Sequence, residues 1–256
     1  MTQVLILELG IVLIYMNAWF AVAIRQRRND VADVAWGFGF LLVALTSLLL
    51  NWPAAARPAL VITLVAIWAI RLSVHIHIRH RGKPEDFRYR AWRGAWGKYF
   101  YIRTYLEVFI LQGVLLFLIS TPIIYINSNT NPPLGYLDGA GVLVWITGFL
   151  FEAVGDFQLI RFTRTPANKG RIIQSGLWRY TRHPNYFGEV LLWWGVFMIA
   201  LSVPGAWWTI IGPTTITFLI IKVSGIPMLE AKYRGNPEYE GYRRRTSSFF
   251  PVPPKS

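Results

Sequence analysis

The sequence predicts an all-α, polytopic membrane protein with seven transmembrane helices. Hydrophobic residues make up 54% and aromatic residues 16% of the 256-residue chain, and its mean hydropathy is positive. These values lie outside the usual composition of soluble proteins. Seven apolar stretches approach the ~20 residues that are needed to span a bilayer. They are residues 3–24, 34–52, 58–78, 105–125, 139–160, 186–203 and 206–229.

Basic residues are distributed unevenly among the connections between these stretches. Alternate connections and the C-terminal tail hold 23 Lys and Arg residues, whereas the remaining connections hold only Arg57. Because basic residues favour the cytoplasmic side of a membrane, we expect the N-terminus on the outer side and the C-terminus on the cytoplasmic side. The membrane that we expect is a bacterial inner membrane. The net charge of +13 does not indicate nucleic-acid binding, since no sizeable soluble segment remains to present a basic face. The first stretch lacks the features of a cleavable signal peptide.

Some kinds of chemistry are excluded by residue types that are missing. The chain has no cysteine, which excludes disulfides, thiolate metal sites and cysteine nucleophiles. None of its four histidines stands in an H-E-x-x-H arrangement. His75 and His77 end the third stretch, but alternate positions do not share a helix face. We therefore expect no metal site.

Ionisable residues within a membrane are expensive and often functional. Asp33 opens the second stretch in the phrase D-V-A-W-G, where it either caps the helix or lines a substrate cavity. Glu152 and Asp156 are four residues apart and so share a helix face, and Asn185 and Glu189 repeat that spacing. These four residues are expected to form one polar wall, unless the two carboxylates simply pair with a nearby arginine.

A group of basic residues flanks the predicted polar wall. These residues either anchor the cytoplasmic side or clamp a multiply phosphorylated ligand, because arginine binds phosphate through a bidentate fork. They are Arg161, Arg164, Lys169, Arg171, Arg179 and Arg182. Lys222 lies within the seventh stretch, shortly before a Gly-Ile-Pro break, and is expected to be functional.

Residues 175–189 carry a resemblance to a known family. They read S-G-L-W-R-Y-T-R-H-P-N-Y-F-G-E, and the R-H-P-N-Y-x-G-E pattern with its aromatic and basic tail resembles the cofactor module of the steroid 5α-reductase superfamily. Sterol reductases and isoprenylcysteine methyltransferases carry related modules. The resemblance covers roughly residues 145–256 and implies an NADPH-dependent reductase of conjugated enones, most readily of Δ4-3-oxo steroids.

The resemblance also implies cofactor contacts for individual residues. Glu152, which stands where the family has Asn, and Asp156 take the positions that hold the adenosine end of NADPH. Asn185 and Glu189 take positions beside the nicotinamide, and the tail resembles a helix that closes over the cofactor. The five arginines of the basic group and Lys222 are included on the cofactor side. The other residues included there are His183, Tyr233, Arg234 and Tyr242, and the closing helix also carries Glu230 and Glu240.

On the substrate side the sequence departs from the family. Asp33 is the nearest equivalent of the Gln-Glu pair that holds the substrate carbonyl, and the family's tyrosine is missing from H-I-H-I-R. We expect His75, His77 or Tyr89, from the following loop, to replace it. A desolvated, protonated Asp33 is expected to donate a hydrogen bond to the enolate. Residues 1–104 would form the substrate side and residues 105–256 the NADPH-binding module.

Two alternative functions remain. An S-adenosylmethionine-dependent methyltransferase shares the phrase around R-H-P, but the carboxylate pair and the basic excess favour NADPH. A non-catalytic sterol- or lipid-binding membrane protein would not need the Asn185–Glu189 block. The expected partners are a small lipophilic substrate and the lipid bilayer, with no obligate protein partner.

Overall fold

A computed structural model describes residues 1–51 and 55–255, and in these residues the regular structure is helical, with no β-strand. Within these described residues, six helical segments are long and apolar enough to cross a membrane. They are Thr2–Gln26, Val31–Leu49, Ala56–His80, Phe87–Ile119, Tyr136–Arg164 and Ala206–Lys232. The predicted all-α class is confirmed, whereas the count of seven spans and the orientation stay predictions. The predicted stretch 186–203 forms a helix of 17 residues, Pro184–Ala200, which is not among the six.

We number the α-helices in chain order. They are α1 Thr2–Gln26, α2 Val31–Leu49, α3 Ala56–His80, α4 Phe87–Trp96, α5 Phe100–Arg103, α6 Leu111–Ile119, α7 Thr121–Ser128, α8 Tyr136–Arg164, α9 Pro184–Ala200, α10 Ile211–Phe218, α11 Ile226–Lys232 and α12 Pro237–Arg245. Two π-helical segments, Thr104–Ile110 and Leu219–Val223, lead into α6 and follow α10. The predicted end of the second stretch, at residue 52, lies outside the described residues.

The chain forms two compact units. The first comprises Met1–Leu134 and Ala200–Ile211, and the second comprises Gly135–Ile199 and Gly212–Ser256. The predicted division at residue 104 concerns substrate and cofactor roles, which packing alone does not assign, and it stays a prediction.

Helix α2 is central to the first unit, where it packs against α1, α3 and α7. Phe40 on α2 is fully buried, and its ring centroid lies 5.5 Å from that of Trp68 on α3. Arg57, at the start of α3, is also buried. Its guanidinium donates hydrogen bonds to the Asn131 side chain and to the carbonyl of Pro132. This arginine therefore fixes the connection between α7 and α8.

Helices α8 and α9 of the second unit touch through glycines. A Cβ atom on Gly188 would lie 2.4 Å from the backbone nitrogen of Glu152 and 2.4 Å from the carbonyl oxygen of Gly148. A Cβ on Gly148 would lie 2.5 Å from the backbone nitrogen of Leu192. Only glycine permits this approach of two backbones. The contact brings the carboxylate face of α8 to the start of α9.

Replacing Gly188 with alanine is expected to force these helices apart. Overpacking of this kind lowers the free energy of unfolding by about 3 kcal/mol, visible as a lower melting temperature of the detergent-solubilised protein. Gly139, also on α8, has no neighbouring atom within 4 Å of an added Cβ. Gly139→Ala is the matched control and should melt like the wild type. Equal melting of the two variants would contradict the close contact.

Candidate functional site

A polar pair, formed by the half-buried Asp33 and the buried Tyr89, joins α2 to α4 in the first unit. One oxygen of the Asp33 carboxylate accepts a hydrogen bond of 2.8 Å from the Tyr89 hydroxyl. The other oxygen is paired with the Arg88 guanidinium, also at 2.8 Å. Tyr89 is 2% exposed. Two of the predicted catalytic candidates, Asp33 and Tyr89, are thus in contact.

The position of Asp33 bears on whether it caps α2 or serves another role, such as lining a substrate cavity. Asp30, three residues earlier, is the residue that precedes α2 as its N-cap. Asp33 lies inside the first turn, and its side chain binds Tyr89 and Arg88. Each of its two carboxylate oxygens accepts one of these bonds, and the hydrogen bond that Asp33 is expected to donate to an enolate stays a prediction.

Arg88 reaches Asp33 because α4 begins close to it. Asp86 is the N-cap of α4, and its carboxylate accepts a hydrogen bond from the backbone nitrogen of Arg88 at 3.0 Å. The same oxygen accepts a second bond from Nε of Arg88 at 2.9 Å. Burial acts to raise the pKa of Asp86, but the charge and hydrogen bonds of Arg88 outweigh it and hold that pKa below its usual value. Arg88 therefore bridges two carboxylates, Asp86 and Asp33.

The histidines proposed as alternatives to Tyr89 lie on α3. His75 is half-buried, and His77 is exposed. The hydrogen bond to Asp33 is made by Tyr89. Among the described residues, no group of three or more His, Cys, Asp and Glu side chains could hold a metal ion.

Part of the predicted polar wall is present in the second unit. The Asn185 amide nitrogen, on α9, donates a hydrogen bond of 3.1 Å to the Asp156 carboxylate on α8. Glu152 lies one turn earlier on α8, and its Cβ would be 2.8 Å from a Cβ on Gly188. Glu152 and Asp156 are both buried, and Glu189 is half-buried. The contact predicted from the two i, i+4 spacings therefore exists for Asp156 and Asn185.

Arg182 and His183 hold the C-terminal part of the second unit. Nε and Nη2 of Arg182 donate to one oxygen of Glu230, at 2.9 and 2.6 Å. Nη1 donates to the carbonyls of Arg243 and Thr246. The His183 Nε2 atom lies 3.3 Å from the same Glu230 oxygen. The Arg182 guanidinium is thus engaged by protein groups, and its contact with a cofactor stays a prediction.

A pocket of about 500 Å³ lies beside this network. Three of the residues that line it are basic and none is acidic. They are Gln174, Ser175, Gly176, Arg179, Tyr242, Arg245, Thr246, Pro254 and Lys255. Arg179 and Tyr242 were predicted from the sequence, whereas Arg245 and Lys255 were not. The lining is suited to an anionic group such as a phosphate.

Tyr242 fixes one wall of this pocket. Its hydroxyl donates a hydrogen bond to the carbonyl of Trp178. Burial raises the pKa of Tyr242 above its usual value, so the hydroxyl is a neutral donor. Tyr233 stacks on Tyr239 at 5.0 Å between ring centroids. The other predicted cofactor residues are exposed basic side chains: Arg161, Arg164, Arg171, Lys222 and Arg234.

Comparisons with known proteins give a family over most of the chain. A family model described as "Protein of unknown function (DUF1295)" matches residues 19–246. The chain is 38% identical over 72 residues to "3-oxo-5-alpha-steroid 4-dehydrogenase 1" of Homo sapiens, covering 28% of this chain and 27% of that protein. The protein with the same name from Macaca fascicularis is 36% identical over 72 residues, covering 28% and 26%. The chain thus spans about a quarter of these relatives' length. No solved structure matches.

The burial of His183 predicts a pH dependence of stability. Burial, with the added effect of the Arg182 charge, lowers the pKa of His183 below its usual 6.5, although Glu230 opposes this. Below that pH the unfolded chain binds a proton more readily than the folded one, so stability is lost as the pH falls through about 6.5. Melting temperatures measured from roughly pH 8 to 5 should fall less steeply for His183→Gln than for the wild type.

The exposed His77 supplies the control for this measurement. His77→Gln replaces an exposed histidine of the first unit and should keep the wild-type pH dependence. An unchanged slope in His183→Gln would show that His183 is not the group responsible.

Proposed function

Because the chain belongs to the DUF1295 family of steroid 5α-reductase-like proteins, we propose that it is an NADPH-dependent reductase of conjugated enones. The substrate class we assign is a Δ4-3-oxo steroid, and the compartment is a bacterial inner membrane. The observation that carries this proposal is the hydrogen bond between the buried Tyr89 and the half-buried Asp33.

The Asp33–Tyr89 pair has the chemistry that this reaction needs at the carbonyl end. Hydride transfer to the β-carbon of an enone places negative charge on the carbonyl oxygen. A preorganised donor stabilises that charge most where water is excluded, and Tyr89 is buried. Its hydroxyl can turn from Asp33 to a substrate carbonyl. When the Tyr89 hydroxyl turns away, Arg88 still pairs with the other oxygen of Asp33, so the Asp33 carboxylate keeps a charged partner.

The overall reaction takes up one hydride and one proton. The hydride bonds to the β-carbon and the enolate oxygen is held by Tyr89. The α-carbon takes its proton from solvent as the carbonyl re-forms. Asp33 and Arg88 remain chemically unchanged, and their part is to orient the Tyr89 hydroxyl.

The second unit offers groups that fit NADPH, which supplies the hydride when bound. Arg179, Arg245 and Lys255 line one pocket without any carboxylate among its lining residues, which suits the phosphates. The Asp156–Asn185 pair presents a carboxylate and an amide, which suit hydroxyl and amide groups. S-adenosylmethionine carries no phosphate and would leave the basic lining without a partner. This difference favours NADPH over the methyltransferase alternative.

NADPH should raise the melting temperature of the solubilised protein more than NADH does, because only NADPH brings the additional phosphate. A ligand at ~100 times its dissociation constant adds about 2.7 kcal/mol of stability. In Arg179→Gln, the rise in melting temperature with NADPH should be closer to the rise with NADH than it is in the wild type. Lys98→Gln, which changes an exposed basic residue of the first unit, should not. Stabilisation by S-adenosylmethionine alone would support the methyltransferase, and no nucleotide effect would support a non-catalytic lipid-binding protein.

Tyr89→Phe removes the proposed donor with little change of shape. Loss of one well-placed oxyanion donor lowers the rate on the order of 100-fold or more. We expect such a loss in kcat for NADPH-dependent reduction of progesterone, measured as saturated product, with the KM for NADPH unchanged. Tyr99→Phe alters an exposed tyrosine and is the matched control. Wild-type turnover by Tyr89→Phe would remove Tyr89 from the reaction.

A further inference from the structure

Asp30 is a buried carboxylate that has no part in the chemistry proposed above. It is 1% exposed and precedes α2, but its side chain makes no hydrogen bond to the first turn of that helix. Its oxygens instead accept bonds from Nε and Nη2 of Arg28, at 2.9 and 2.8 Å. One of them also accepts a bond of 3.0 Å from the backbone nitrogen of Asp86. Asp30 therefore ties the α1–α2 turn to the residue that starts α4.

The same two segments are joined at further points. The backbone nitrogen of Asn29 donates to Glu85 at 2.6 Å, and Nη1 of Arg28 donates to the carbonyl of Lys83 at 3.0 Å. Glu85 is also paired with Arg93 at 3.0 Å. The connection between α3 and α4 is therefore held against the α1–α2 turn along residues 83–86.

The register of these contacts connects Asp30 to the Tyr89 pair. Asp30 and Asp33 are three residues apart and lie on one side of the first turn of α2. Asp86 and Tyr89 are likewise three residues apart at the start of α4. Asp30 binds the backbone of Asp86, and Asp33 binds the side chain of Tyr89. The starts of α2 and α4 are thus joined by two hydrogen bonds, and the bonded residues are three positions apart on both helices.

We propose that Asp30 is a positioning residue that latches the first turn of α4 to the first turn of α2 and thereby sets the Tyr89 hydroxyl on Asp33. Burying a carboxylate is unfavourable unless it is well paired, and here the pairing fixes α4. Arg28 neutralises the charge, and the Asp86 backbone bond sets the direction of the helix. The catalytic meaning of the latch rests on the proposed reductase function, whereas the latch itself does not.

A fluorine label on Tyr89 tests the latch without relying on activity. We would introduce 3-fluorotyrosine at position 89 and record its ¹⁹F resonance in detergent. The Asp33→Asn variant serves as the reference, because it shows how the ¹⁹F chemical shift of the labelled Tyr89 changes when the hydrogen bond to residue 33 changes. Asp30→Ser places a residue that is favoured at the N-cap position before α2, but its side chain cannot bridge Arg28 and Asp86. Its Tyr89 resonance should therefore move in the same direction as in Asp33→Asn. Asp30→Asn, which keeps one acceptor oxygen, should move it less.

Two controls separate positioning from general stability. Glu107→Gln removes a carboxylate from another arginine pair of the first unit, Arg103–Glu107 at 2.6 Å, in which both side chains are 46% exposed. It should leave the Tyr89 resonance in place. A second label at Tyr242, in the other unit, should be unaffected by every Asp30 variant. If Asp30→Ser does not fold, Asp30→Asn carries the test, and a displaced resonance is expected.

The kinetic counterpart is a loss of kcat for the enone of about 10- to 100-fold in Asp30→Ser, with the KM for NADPH unchanged. An unmoved Tyr89 resonance would overturn the latch, and so would joint movement of the Tyr89 and Tyr242 resonances. A wild-type protein without reductase activity would instead contradict the proposed function, and the resonance would still report on the latch.

Discussion

A carboxylate on an apolar helix has to be paired, and the pairing of Asp33 organises the polar part of the first unit. Helix α2 offers Asp33 no donor of its own, so both donors come from α4, as Arg88 and Tyr89. That helix is in turn held by the turn that contains Asp30. The need to compensate one half-buried carboxylate on an apolar helix thus accounts for the position of the proposed oxyanion donor. The pairing of the Asp33 carboxylate therefore underlies both the position of α4 and the chemistry that we propose for Tyr89.

The second unit meets the same constraint in another way. Gly148 and Gly188 let the backbones of α8 and α9 touch, and Asp156 finds an amide donor in Asn185 on the neighbouring helix. A second set of buried polar groups, centred on Arg182, ties the C-terminal residues back to the start of α9. The Arg182 guanidinium is engaged by protein groups in this network, whereas Arg179, Arg245 and Lys255 line the neighbouring pocket.

The spacing of residues in the sequence predicts which side chains share one face of a helix. It does not predict which residues far apart in the sequence bind each other, and most of the contacts that the sequence analysis missed are of this second kind. The two i, i+4 spacings indicated one polar wall of four residues, and within that set Asp156 and Asn185 are in contact. The sequence left Tyr89 as one of three candidates, because its place depends on bonds between residues 56 apart. It also could not foresee that Arg182 would pair with a carboxylate 48 residues later. Glycines recur every seven residues on both helices, as Gly141, Gly148 and Gly155 on α8 and as Gly188 and Gly195 on α9, and this spacing is the sequence signal for the close approach of α8 and α9.

The claim that Asp33 and Tyr89 act as one unit on a substrate carbonyl is tested most directly by a double-mutant cycle. The quantity to measure is kcat/KM for NADPH-dependent reduction of a Δ4-3-oxo steroid by the wild type, Asp33→Asn, Tyr89→Phe and the double variant. If the two side chains work together, the double variant is no slower than the slower single variant, because residues that act as a unit are strongly non-additive. Losses that simply add in free energy, or a wild type that reduces no such enone, would contradict the claim.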